Sequence, residues 1–172
     1  MTDELKIADI STPDKAINDV PDIDSFSGNF RWLSNFVGAP GLVIKSTAHS
    51  NVTANNIEVI YHIDKCCKQE DIELLLEAGT PGKAKKAGKN ITLRPDWDEV
   101  KLGVMENLVR QKFSSIPFKG LLLGTGDANL EEGNYWHDNY WGVCHCSKCG
   151  GNGQNHLGKI LMKIREELKQ CL

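Results

Sequence analysis

A chain of 172 residues, 40% hydrophobic and 25% charged, has the length and mix of one soluble domain with a real core. Its net charge of −3 argues against unspecific nucleic-acid binding through a broad basic face. No run approaches the ~18 apolar residues of a membrane helix, and the acidic start MTDELKIADISTPDK lacks the basic and apolar regions of a signal peptide.

Residues 1–23 are polar, acidic and without period, and read as a flexible acidic leader to a domain over 24–172. From SGNFRWLSNF the aromatic content rises. A strand there, followed by GLVIKS, predicts an antiparallel pair across the turn at Ala39 to Gly41. After the polar stretch STAHSNVTANN, Asn55 or Asn56 caps a helix in IEVIYHIDKCC. EDIELLLEAG is a second helix closed by Gly79, and TPGKAKKAG a third with Thr80 as cap and Pro81 at its first position.

RPDWDEVKLGVMENLVRQKF carries the strongest helical signal. Asp96 and Glu99 have capping-box spacing, and Val100, Val104, Met105, Leu108, Val109 and Phe113 form an apolar stripe. FKGLLLGTGDANLEE reads as two short strands around a GTGD turn. A last helix, NHLGKILMKIREELKQ, repeats Leu157, Ile160, Leu161, Ile164 and Leu168 at helical spacing. Helices and strands mix without regular alternation, which predicts an α+β domain, helix-rich with a small β component.

Several residues are placed for chemistry. At ~100° per residue Glu58, Tyr61 and Lys65 fall on nearly one helical face, either bracketing a small ligand or forming a solvated stripe, with His62 beside them. Asp138 stands among Trp136, Tyr140 and Trp141. It is either a desolvated carboxyl with a raised pKa beside base-stacking rings, or a turn cap within ordinary core. The cluster KAKKAGK, Lys83 to Lys89, meets a phosphate or forms a solvated face.

The six cysteines fall as Cys66 and Cys67, then Cys144, Cys146 and Cys149, then Cys171. That spacing is no spread disulfide framework, and the expectation is a cytoplasmic protein with reduced thiols. CHCSKC offers Cys144, Cys146 and Cys149 to a structural zinc, with His137, His145 or His156 as a fourth ligand. One knuckle without a second equally suits a loop of free thiols.

Taken in order, FSGNFRWLSNF, TPGKAKKAGKNITLRPDWDEVKLGVM, LLLGTGDANLEEGNYWHDNYWG and NHLGKILMKIR resemble the NADAR superfamily, which includes the YbiA-like N-glycosidases. The resemblance runs from about Phe26 to Leu168; the cysteine loop after Gly142 is an insertion relative to many members. It implies a helix-rich α+β domain that cleaves N-glycosidic bonds to ribose, with no required cofactor. Its implied substrates are phosphoribosylamino-pyrimidines of riboflavin synthesis, or ADP-ribosylated guanine in nucleic acid. By position, the resemblance implies Glu58, Tyr61 and Lys65; Ser34, Asn35 and Phe36; Arg94 and Trp97; Asp138, Trp141 and Gly142; and Asn155 with Leu157 and Gly158.

Cleavage builds positive charge on the anomeric carbon and negative charge on the departing base, so a carboxylate, a proton donor and a held water are needed. Glu58 and Asp138 are the candidates for those duties. Lys65 would neutralise a carboxylate or phosphate, or attack the anomeric carbon as a Schiff-base amine, and Arg94 would hold phosphate. A non-catalytic NAD- or ADP-ribose-binding module is the first rival, and a zinc-stabilised nucleic-acid adaptor the second.

Overall fold

The computed structural model describes residues 20–171. Most of the expected leader lies outside the described residues. Its last residues belong to the fold: Ile23 is buried and bridges Leu130 in parallel, donating to Asn129 O at 2.8 Å and accepting from Glu131 N at 2.8 Å.

Among the described residues, six helices and five two-residue strands form an α+β domain in which the helices dominate. Helix α1 (Ile57–Asp64) starts where Asn56 Oδ1 accepts from Val59 N, satisfying one of the orphan donors of a helix N-terminus. Helix α2 (Gln69–Glu77) ends ahead of Gly79, whose φ of +70° suits a residue without Cβ. Helix α3 (Pro81–Ala87) carries Pro81 at its first turn, and Thr80 Oγ1 accepts from Lys83 N. Helix α4 (Trp97–Phe113) and helix α6 (His156–Gln170) pack on each other and on α5 (Phe118–Leu123).

The expected apolar stripes are the core. Leu108, Val109, Phe113, Leu161 and Ile164 are fully buried, with Val100 and Leu168 at its margin. Each such side chain contributes about 1.5–3 kcal/mol through removal from water. Helix α1 lies among α2, α3 and α4, and all of its residues are buried, polar ones included. Asp64 at its end accepts from Ser46 Oγ, Thr47 N and Thr47 Oγ1, and so anchors the loop that follows Lys45.

Three sequence expectations are corrected. The segment around SGNFRWLSNF is a 3-10 turn, Gly28–Leu33. Trp32 and Leu33 both pack inward in succession, which a strand's alternation forbids. The antiparallel pair is instead β1 (Ile44–Lys45) with β2 (Thr53–Ala54). FKGLLL is helix α5, because Phe118 and Leu122 are buried four apart while Leu121 is exposed. At Asp96 there is no capping box. Its carboxylate accepts from Arg94 Nε at 2.6 Å and Nη2 at 2.8 Å, a charge-assisted fork that outcompetes a neutral N–H.

The second sheet builds the rim of a cleft. β3 (Gly133–Asn134) runs parallel to β4 (Val143–Cys144), which pairs antiparallel with β5 (Asn152–Gly153). The connection 135–142 holds the aromatic stretch. No helix among the described residues is long and apolar enough to cross a membrane.

Candidate active site

A cavity of about 840 Å³ opens between α1, the 3-10 turn, the end of α3 and the 132–142 loop. Helix α1 supplies its floor. Glu58, Tyr61 and Lys65 all line it, so the polar stripe faces a ligand space rather than bulk solvent.

His62 Nε2 lies 3.0 Å from Glu58 Oε1, both side chains nearly excluded from water. Burial holds the His62 pKa below its ordinary value, so the ring is neutral. Because the carboxylate only accepts, Nε2 carries the proton and Nδ1 is bare. A Cβ at Gly88 would stand 2.3 Å from that Nδ1, which explains the glycine ending α3.

Tyr61 meets Trp141 edge-on at 5.5 Å and Trp97 at 5.1 Å. Burial pushes its hydroxyl pKa up and keeps the phenol protonated. Lys65 Nζ lies 5.3 Å from the Tyr61 ring; burial lowers its pKa, against the pull of Glu58.

Asn35 is buried, and its carbonyl receives Glu58 N at 3.1 Å, which locks the Ser34–Phe36 segment to the helix start. Ser34 O in turn accepts from the buried Lys112 Nζ at 2.8 Å. Phe36 stands on the opposite rim with Lys85 Nζ 5.4 Å from its ring.

The far wall is organised by Asn134. Its Oδ1 accepts from Trp136 N and Asp138 N, and its Nδ2 donates to Asp138 O and Val143 O. Asp138 Oδ1 accepts from Tyr140 N and Trp141 N, so the carboxylate braces the turn while lining the cavity.

Glu132 is the residue sequence reasoning missed. It lines the cavity, and its Oε2 is buried with no partner among the described residues. Burial, reinforced by the charge of Asp138, raises its carboxyl to about 7. Its placement is a backbone matter: Asn155 Oδ1 receives Glu132 N at 3.1 Å, and Val143 N donates to Glu132 O at 3.0 Å. The only sequence signal was the acidic doublet just ahead of the aromatic stretch, and nothing local separates Glu131 from Glu132.

The implied residues thus divide. Ser34, Asn35, Phe36, Glu58, Tyr61, Lys65, Asp138 and Trp141 line the cavity, joined by His62, Arg31, Lys85, Lys89, Trp136 and Glu132. Arg94, Trp97, Gly142 and Asn155 stand behind it. Arg94 pairs with Asp96 outside the cavity lining, while its backbone N–H ties Lys65 O at 2.8 Å. Trp97 backs Tyr61. At Gly142 a Cβ would meet Glu132 O at 2.1 Å. Asn155, at φ +50°, also donates to Leu130 O, and so braces both sides of Glu132.

Among the described residues, five buried side-chain polar atoms lack a partner, and three of them belong to cavity-lining residues: Asn35 Oδ1, His62 Nδ1 and Glu132 Oε2. Beside the wall, ligand atoms of His137, Cys144, Cys146 and Cys149 lie within 4.8 Å of one another.

A helix-rich α+β domain whose cavity joins carboxylates, aromatic faces and cations is the class defined by this fold and site. The chain belongs to the NADAR domain family, whose model matches residues 25–169. It is 40% identical over 124 residues to an N-glycosidase of Nostoc punctiforme, covering 67% of this chain and 75% of that one. It is 33% identical over 149 residues to the N-glycosidase YbiA of Shigella flexneri, covering 84% and 85%. A shorter match, 41% over 78 residues, covers 45% of this chain and 20% of a riboflavin biosynthesis protein of Vibrio vulnificus. The NMR structure of E. coli YbiA superposes with a TM-score of 0.69 at 29% identity, covering 87% of this chain and 84% of that one.

Proposed function

We propose that this chain is an N-glycosidase that hydrolyses the bond between a ribose phosphate or ADP-ribose and a base. The observation that carries the reading is the convergence of Glu58, Glu132 and Asp138 with Lys65 in one aromatic-walled cavity. Relatives named N-glycosidases over most of their length support it.

The base stacks on Trp141 and Trp136. Glu132, neutral for much of the population near pH 7, gives its proton to the departing nitrogen, and the nearby Asp138 charge favours that neutral form. Glu58, held by His62, faces the cation-like anomeric carbon and takes a proton from the incoming water. The C–N bond breaks, hydroxide joins the carbon, and the base leaves protonated. Arg31, Lys65, Lys85 and Lys89 supply positive charge for phosphates. That number of cations in one cavity favours a substrate with more than one phosphate charge, such as an ADP-ribosylated guanine, over an uncharged nucleoside.

A covalent variant is favoured by the lowered pKa of Lys65. There the amine, on the ring-opened sugar, forms an imine with the anomeric carbon as the base departs, and water later returns the aldehyde. Borohydride trapping of a Lys65 adduct distinguishes it from direct hydrolysis.

The test is base release, followed by chromatography, from phosphoribosylamino-pyrimidine and ADP-ribosylated guanine substrates with Glu58→Gln, Glu132→Gln and Asp138→Asn. Wild-type turnover in all three folded variants defeats the assignment. Tight ADP-ribose binding by a wild-type protein that releases no base from either substrate establishes the binding-module reading in its place.

A further inference from the structure

We propose that His137 Nδ1 and the thiolates of Cys144, Cys146 and Cys149 bind one zinc ion, and that this ion fixes the 135–142 wall. No sulfur of this group serves the cavity chemistry, and none forms a disulfide.

Distances carry the first part. His137 Nδ1 lies 3.2 Å from Cys149 Sγ and 3.4 Å from Cys146 Sγ, and all four donor atoms fall within 4.8 Å of one another. A tetrahedral zinc with bonds of about 2.3 Å to sulfur and 2.0–2.1 Å to nitrogen sets its donors roughly 3.5–3.8 Å apart. The side chains therefore need only small adjustments to close around the ion.

Donor chemistry carries the second. Three soft sulfurs and an imidazole suit zinc and disfavour calcium or magnesium. On binding, three thiols release protons, so the site holds three thiolates, one neutral ring and Zn²⁺, a net charge of −1 that needs no further counter-ion from the fold.

The backbone is shaped for the same end. Cys149 N points at Cys146 Sγ at 3.3 Å, and Asn139 Nδ2 at Cys149 Sγ at 3.6 Å, donors that would steady thiolates. Gly150 and Gly151, at φ +62° and +82°, turn the chain tightly back after the second knuckle cysteine. His137 itself sits at φ +69°, a conformation uncommon outside glycine, and the turn brings its ring to the sulfurs. His145 and His156, the other candidates, are turned to Glu131 and Gln154 instead.

The location gives the ion its role. His137 lies between Trp136 and Asp138, both on the cavity, while its three partners lie on β4 and the loop leading to β5. Trp136 is largely exposed and has little core beneath it, so coordination supplies the anchorage that burial does not. This consequence for the cavity rests on the glycosidase reading; the metal site does not.

The test reads metal without substrate. Full-length protein grown with zinc is expected to retain one zinc per chain after dialysis, measured by elemental mass spectrometry. Cobalt substitution is expected to show the thiolate charge-transfer and intense d–d bands of a tetrahedral sulfur-rich site. His137→Ala should weaken zinc binding by more than the roughly 10–100-fold that loss of an outer-shell partner brings. His145→Ala and His156→Ala should leave it unchanged. Stripping the metal should speed hydrogen exchange across 135–142 while α4 and α6 keep their protection. A protein without stoichiometric zinc, or a His137→Ala variant with undiminished affinity, overturns the site. Unaltered exchange in the wall, or equal loss of protection in α4 and α6, overturns the role assigned to it.

Discussion

Glu58 Oε1 and His62 Nε2 lie 3.0 Å apart, one turn from each other on a helix with no exposed residue. A carboxylate held this way keeps its orientation without a second charge, since the ring is neutral. Glu58→Gln keeps an acceptor for His62 but removes the charge, so kcat is expected to fall by about 10²–10⁴. Denaturant unfolding should shift by no more than about 1 kcal/mol. His62→Phe removes the orienting donor and should lower kcat by roughly 10-fold with KM little changed.

Glu132 gives a pH signature in both rate and stability. Its carboxyl titrates at about 7 when folded and at its ordinary 4.5 when unfolded, so the folded chain holds more protons between those values. The stabilising contribution of the neutral form is therefore complete below about 4.5 and lost as pH rises through 7. Urea unfolding at pH 5 and pH 8 should show this decline in the wild type and not in Glu132→Gln. The rate should fall on the alkaline side with an apparent pKa near 7, and that limb should be absent from the residual activity of the variant.

Behind Glu132, Gly158 permits a close approach. A Cβ there would stand 2.1 Å from Leu130 O and 2.5 Å from Asn155 Oδ1. Gly158→Ala is expected to cost about 1–3 kcal/mol through forced backbone shift. Asn155→Ala frees Glu132 N and should lower kcat by roughly 10-fold in the folded variant, with the Glu132 pKa in the rate profile displaced.

Helical periodicity made most of the fold legible. The stripes of α4 and α6, the Asn56 and Thr80 caps and the Gly79 stop are local signals, and local physics decides them. The errors came where a partner distant in space or a competing charge intervened. Arg94 claimed the Asp96 carboxylate from the helix end, and Leu122 joined Phe118 in the core. Of the site, α1 and the aromatic stretch were readable because each places its residues by its own geometry. Glu132 was not, because its depth depends on Asn155 and Gly142 reaching it from elsewhere, and the same holds for His137 among three histidines near the cysteines.

Lys112 is buried with no carboxylate partner among the described residues, its Nζ bonded to Ser34 O, and burial brings its pKa down to about 7. The folded chain there binds fewer protons than the unfolded one between about 7 and the ordinary 10.5, so stability should rise with pH across that window. An increase of about 2 kcal/mol from pH 6.5 to 9 is expected from this group. Lys112→Met should abolish that increment, as measured by the difference between the two proteins' unfolding free energies at each pH.

Helix α1 has no face left over. Its apolar side is core, Glu58 and Tyr61 floor the cavity, and Asp64 moors the loop after β1. A substitution made there to alter ligand choice would also disturb packing. Residues of the rim, Arg31, Phe36, Lys85, Lys89 and Trp136, carry no such double duty. Libraries aimed at new substrates should therefore randomise the rim and leave the floor intact, dividing the molecule into a part that can be retuned and a part that can only be kept.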